Sequence, residues 1–138
     1  ASEALPTSGT VFLSTHDRDK SALLPVAQRL DQMGFRLVAT EGTARALEAA
    51  GLKVETVLKV HEGRPNIEDA IRSGEIQLVI NTPVGRQAAH DDKYLRRAAI
   101  DYAVTTVTTL AGARAAVEGI AALQAQEMQV RALQDIHG

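Results

Sequence analysis

The sequence predicts an α/β fold, a three-layer α/β/α arrangement around a five-stranded parallel sheet, and two patterns carry that prediction. Five short runs are apolar without alternation: Val11-Phe12-Leu13, Leu37-Val38-Ala39, Val57-Leu58, Leu78-Val79-Ile80 and Val104 to Val107. Runs of this kind fit strands covered on both faces, which is the situation of a parallel sheet between helical layers. Segments with helical spacing and helix-ending glycines separate them, and strands alternating with helices mean βαβ units.

The elements follow in order. Residues 1–9 carry Pro6, Gly9 and two serines without an apolar period, the composition of a linker, and the folded unit is expected over residues 10–138. Leu23, Val26, Ala27 and Leu30 recur at helix spacing up to Gly34, with Asp19 or Ser21 as the cap. Pro25 is then the fourth helical residue counted from Ser21, which confines its lost hydrogen bond to the helix start. Thr43 to Ala50 stops at Gly51, and Asn66 to Ser73 stops at Gly74, each with a cap residue first and glycine last. Asp91 or Asp92 opens a helix through Ile100, and Ala111 to Ile136 forms a last one with a Gln-rich polar face.

Composition narrows the function. The 138 residues make one domain, 45% hydrophobic and 23% charged, the balance of an ordinary globular protein. No apolar run reaches the roughly 20 residues of a membrane helix. Lys plus Arg number 15 against 17 Asp plus Glu, a net charge of −2 that gives no pull toward nucleic acid or acidic membranes. Two Phe, two Tyr and no Trp are too few for a base-stacking platform, and the absence of Cys excludes disulfides, thiolate catalysis and cysteine metal sites. A start at Ala1 without a signal-peptide pattern reads as a processed or excised piece of a cytoplasmic protein.

Neither G-x-G-x-x-G, G-x-x-x-x-G-K-[ST] nor G-x-S-x-G occurs. What remains is a set of polar residues at the carboxyl ends of the expected strands, where open α/β sheets bind their ligands. Ser14 to Lys20 follow the first strand, Thr40-Glu41-Gly42-Thr43 the second, Lys59 to Pro65 the third and Asn81-Thr82-Pro83 the fourth. Two ammonium groups, short hydroxyls and a helix N-terminus are what a phosphate requires, and Gly42 lets the backbone approach an anion. Taken singly, Thr43 reads as an N-cap and Lys20 and Lys59 as solvated charges; convergence on one rim is what makes them a candidate site. His16-Asp17 and His90-Asp91-Asp92 hold acid–base and metal-binding groups but match no ligand spacing, and they read as surface or capping residues.

Lys20, T-E-G-T-A from Thr40 to Ala44, K-V-H-E-G-R-P from Lys59 to Pro65, I-N-T-P-x-G-R from Ile80 to Arg86 and L-Q-D-I-H from Leu133 to His137 resemble one known family. It is the methylglyoxal-synthase-like domain at the carboxyl end of the carbamoyl-phosphate synthase large subunit. The resemblance runs from about Val11 to the end. It implies a Rossmann-like five-stranded sheet and a regulatory task in a glutamine-dependent ligase that supplies pyrimidine and arginine synthesis. The effectors it implies are nucleoside monophosphates, with UMP inhibiting and IMP overlapping, and ornithine where the domain meets the synthetase body. Lys20, Thr40, Thr43 and Lys59 match phosphate-holding positions, beside Gly42; Ser14, Asn81 and Thr82 match positions near ribose and base, and Ile67 and Asp91 match further pocket positions. Thr108 falls in the ornithine region, where Thr106 replaces an aromatic phenol, and Pro83 replaces a hydroxyl residue.

The same resemblance places partners and cofactors outside this domain: the synthetase body with its ATP, Mg or Mn, and K, the glutaminase small chain, and contacts between copies. The alternative within the fold is methylglyoxal synthase, which expels phosphate from dihydroxyacetone phosphate and needs a carboxylate base over the triose carbon. Arg64 and Val84 stand where that enzyme has aspartates, so binding without turnover is expected.

Overall fold

The computed structural model describes residues 4–82 and 85–137. Five strands form one parallel sheet in the order β3-β2-β1-β4-β5: β1 Thr10–Thr15, β2 Arg36–Ala39, β3 Glu55–Thr56, β4 Leu78–Thr82 and β5 Thr105–Val107. Val11 pairs with Leu37 on one side and Leu78 on the other, and Leu78 pairs in turn with Thr105. Five α-helices join them: α1 Lys20–Gln32, α2 Glu41–Ala49, α3 Ile67–Arg72, α4 Gly85–Asp101 and α5 Leu110–His137.

Strand alternation sorts the apolar side chains into two cores. Val11, Leu13, Leu37, Leu78 and Ile80 pack against Leu23, Ala27 and Leu30 of α1, Leu47 of α2 and Val117 and Ile120 of α5. Phe12, Val38 and Val79 pack on the opposite face against Ile67 and Ile71 of α3 and Leu95 and Ala98 of α4. The three-layer α/β/α arrangement is therefore present as expected from the sequence.

The chain winds outward from β1 through β2 to β3, then crosses to the far side of β1 to lay down β4 and β5. That reversal puts the topological switch point between β1 and β4, and it opens a crevice at their carboxyl ends.

Several boundaries differ from expectation. The third strand is Glu55–Thr56, not Val57–Leu58; both residues are exposed, and Val57 adds only an N–H to the Ala39 carbonyl. An edge strand this short carries no apolar signature of its own. Helix α1 starts at Lys20 after Asp19, so Pro25 is sixth in the helix. Its missing donor leaves the Ser21 carbonyl, and Ser21 is exposed, so water meets it. Helix α2 begins two residues before Thr43, with Thr40 at the cap position. Helix α4 begins at Gly85, and Asp91 and Asp92 lie inside it rather than capping it. Asn66 does cap α3, accepting from the Glu68 and Asp69 N–H groups, and Gly74 ends that stretch at φ +81°.

Residues 4–9 contain no helix or strand but are docked. Leu5 packs against the core beside Gly119 of α5, Thr105 Oγ1 donates to the Ala4 carbonyl, and Gln124 donates to the Thr7 carbonyl.

Candidate functional site

The switch-point crevice holds a cavity of 240 Å³. Its floor is built from strand ends. Ser14 on β1 is the register partner of Asn81 on β4, and the Ser14 and Thr40 hydroxyls lie 3.2 Å apart across β1 and the end of β2. Phe12, one strand pleat below Ser14, gives that floor an apolar patch.

Two walls rise from it. One is the 3₁₀ turn Val60–Glu62 with Lys59 before it; Lys59 N–H donates to Glu62 Oε1 at 2.7 Å, which fixes the turn's entry. The other is α4, presenting Asp91, Asp92 and Leu95. The walls meet through His61 Nδ1, 2.6 Å from Asp91 Oδ2. Ile67, first residue of α3, adds an apolar side chain to the lining.

Asn66 holds the Lys59 turn from below. Its amide donates to the Gly63 carbonyl at 2.7 Å while its Oδ1 caps α3. One buried side chain thus ties turn and helix together, and this is why K-V-H-E-G-R-P-N places Lys59 at the cavity.

Of the residues singled out in the sequence, Ser14, Thr40, Lys59, Ile67, Asn81, Thr82 and Asp91 all line the cavity. Lys20, Gly42 and Thr43 do not. Thr43 is buried, and its hydroxyl both accepts from the Thr15 N–H and faces the Thr15 carbonyl, at 3.2 and 3.3 Å, so it fastens α2 to β1. Lys20 Nζ reaches the Thr15 carbonyl at 3.4 Å and Asp17 at 2.5 Å. A Cβ built on Gly42 would meet that ammonium at 3.5 Å, an ordinary contact, so Lys20 occupies the space that glycine leaves over the start of α2. Thr108 is exposed in the loop after β5 and stands apart from the cavity. Pro83 and Val84 lie outside the described residues.

Both lysines nonetheless follow carboxyl ends of strands, Lys20 after β1 and Lys59 after β3. Hydrogen bonding and charge from Lys20 hold the Asp17 carboxyl below its ordinary value, and Lys59 adds to the effect. Thr40 lines the cavity from the N-cap position of α2 and makes no side-chain cap bond, so the first-turn N–H groups of that helix open toward the same side.

Sequence reasoning passed over Asp92, His16, His61 and Leu95 as site residues. Asp91, Asp92, Leu95 and Ala98 recur at helical spacing, and reading α4 back beyond Asp91 would have put both carboxylates on the stripe that ends in the core. The cavity thus contains acidic groups after all. Asp91 is bound by His61, whereas Asp92 accepts from Asn81 Nδ2 at 3.2 Å and pairs with Arg96 at 2.8 Å. His16 pairs with Asp19 at 2.9 Å, not with its neighbour Asp17.

Two hydroxyls at the site are unsatisfied. Thr15 Oγ1 and Thr82 Oγ1, on register-paired ends of β1 and β4, are buried without a hydrogen-bond partner among the described residues. Such groups are rare in folded proteins, where an ordered water or a bound ligand commonly supplies the partner. No three His, Asp or Glu side chains among the described residues converge to hold a metal ion.

A family model described as the MGS-like domain matches residues 22–108. The carbamoyl phosphate synthase large chain of Acidobacterium capsulatum is 53% identical over 133 residues, covering 96% of this chain and 12% of its own length. The protein from Methanopyrus kandleri named as the C-terminal section of that large chain is 47% identical over 138 residues, covering 99% of this chain and 26% of its own. The chain therefore spans only a small part of the curated relatives it matches. Among solved structures, methylglyoxal synthase from Elizabethkingia anophelis superposes with a TM-score of 0.66 at 22% identity, over 82% of this chain and 79% of its own, a likeness of fold.

Proposed function

The chain belongs to the MGS-like domain family, and we propose that it is the effector-binding part of a carbamoyl phosphate synthase large chain, taking a nucleoside monophosphate of the UMP or IMP type in the switch-point cavity. The observation that carries this reading is the polarity of the cavity. Lys59 and the Thr40 end of α2 supply cation, hydroxyl and helix N-terminus for an anion. Asn81 and the carboxylates of Asp91 and Asp92 line the same space and accept hydrogen bonds from hydroxyl or ring N–H groups. Phe12, Ile67 and Leu95 offer apolar surface to a flat ring. A phosphate alone would have no use for the acidic wall; a molecule anionic at one end and donor-rich at the other uses both.

Unequal affinity for two conformations of the parent protein would convert binding into control. In this reading the synthetase body carries ATP, Mg or Mn, and K, this domain holds no cofactor, and body, small chain and further copies are its partners. Ornithine would act at the loop around Thr108.

The lyase alternative is disfavoured by the state of the carboxylates. Asp91 and Asp92 are already engaged by His61, Asn81 and Arg96, so their oxygens are directed at protein donors rather than at a substrate carbon. Arg64 lies 80% exposed and paired with Asp69. The deciding experiment is calorimetric titration of the purified chain with UMP, IMP, uridine and inorganic phosphate, beside an assay for methylglyoxal release from dihydroxyacetone phosphate. Saturable binding of the nucleotides, weaker binding of uridine and no release are expected; turnover, or no nucleotide binding, overturns the reading.

A further inference from the structure

We infer that Asp92 is a positioning residue that fixes the Asn81 amide and so makes the cavity select ligands offering a hydrogen-bond donor at that point. The inference rests on the nucleotide reading above and adds what the site discriminates. Asn81, the last residue but one of β4, is 8% exposed, and its Nδ2 lies 3.2 Å from Asp92 Oδ1. A carboxylate can only accept, so the amide nitrogen, not the oxygen, must face it. Arg96, one helical turn on, clamps the other Asp92 oxygen at 2.8 Å, and the Asp92 side chain is only 13% exposed. The carboxylate therefore has no freedom to turn away.

Asn81 Oδ1 is left without a donor from the described residues, in a residue that lines the cavity floor beside Ser14. A ligand hydroxyl or ring N–H placed there satisfies it. A ligand presenting a lone pair at the same point leaves two acceptors facing each other, and a ligand that covers this carbonyl with nothing to donate strips its water without replacing it. Without Asp92 the amide could flip and serve either kind. Ring N–H and ribose hydroxyl share this donor chemistry, and they are separable by choice of nucleotide.

The test compares UMP with CMP, which replaces the ring N–H by an acceptor, and UMP with its 2′-deoxy and 3′-deoxy forms. Affinities are measured by calorimetry on the intact chain and on Asp92→Asn and Arg96→Gln variants. In the unmodified chain one of these comparisons is expected to show about tenfold preference for the donor-bearing ligand. Asp92→Asn should bring that ratio to about threefold or less, while Arg96→Gln, which keeps the carboxylate, retains most of it. A purely structural role for Asp92 would weaken all ligands alike and leave the ratio unchanged, and that result overturns the inference. A ligand-free readout guards against misfolding of the variant: in the unmodified chain the Asn81 side-chain NH₂ protons should show a hydrogen-bonded shift and slowed solvent exchange. Unbonded, fast-exchanging protons overturn the inference whatever binds. Bonded protons with no nucleotide binding would instead bring down the nucleotide reading, and the selectivity with it.

Discussion

The Lys20 ammonium lies 2.5 Å from the Asp17 carboxylate at the mouth of the α2 N-terminus. An internal anion thus already sits on one of the two cations that a phosphate would use. Asp17 is fully exposed and its carboxyl is held ionised by Lys20. Replacing Asp17 by Asn should free Lys20 and tighten inorganic phosphate and UMP binding several-fold, read by calorimetry at low salt, where the exposed charge is least screened. Unchanged or weakened binding would show that Lys20 takes no part.

Lys59 lines the cavity directly and makes no ion pair among the described residues. Charge-assisted hydrogen bonds are worth roughly 1.5–3 kcal/mol, so Lys59→Ala should weaken UMP binding by about 10- to 100-fold. Uridine, which lacks the phosphate, should lose little. An equal loss for both would place Lys59 elsewhere on the ligand.

Asn66 joins the Lys59 turn to α3 by bonds to Gly63, Glu68 and Asp69. Asn66→Ala removes the cap and leaves the Gly63 carbonyl without its donor. A loss of about 1–2 kcal/mol in urea unfolding is expected, together with weaker nucleotide binding because Lys59 is no longer held. Full stability would mean that water replaces the cap without cost.

Arg64 Nη2 lies 2.5 Å from Asp69, whose carboxyl also accepts the Asn66 N–H at 2.8 Å. The Arg64 hydrogen bond, then the Asn66 N–H, hold the Asp69 carboxyl below its usual 3.8. A group depressed in the folded state binds its proton more readily when unfolded. Its contribution is therefore complete above the ordinary Asp range and is lost as pH falls through the lower folded value. Asp17 and Glu55 are depressed in the same sense by Lys20 and Arg36. The urea midpoint should hold between pH 5 and 7, where all these groups are ionised in either state, and fall below about pH 4. Asp69→Asn should make the acid side of that profile shallower.

Both cores and the parallel sheet were legible in the sequence because Val11-Phe12-Leu13 and Leu78-Val79-Ile80 send alternate side chains into two apolar layers, a pattern only a doubly covered strand needs. Glu55–Thr56 was not, since an exposed two-residue edge strand is specified by its neighbour rather than by its own side chains. Lys59, Thr40 and Asn81 could be found from their places after strands. The Thr43 hydroxyl could not be assigned, because its partners are backbone atoms of Thr15, 28 residues away, and cap and tie look alike in one dimension. Asp92 was hidden by the polar start of α4, where two adjacent acids imitate an N-cap.

Helix α5 runs unbroken from Leu110, just after the carboxyl end of β5, to His137. At about 1.5 Å per residue its 28 residues make a rod of about 42 Å. Only its first half is embedded: Ala113, Ala116, Val117 and Ile120 are buried, while every described side chain from Ala125 onward is exposed. Such a rod is a lever with its fulcrum on the sheet. A tilt of about 5° at the Leu110 end swings the far tip through roughly 4 Å, given that length. The amino-terminal strap clasped to it at Thr7 and Gln124 would travel with the swing, so a small change of packing under the embedded half would be magnified at the exposed tip.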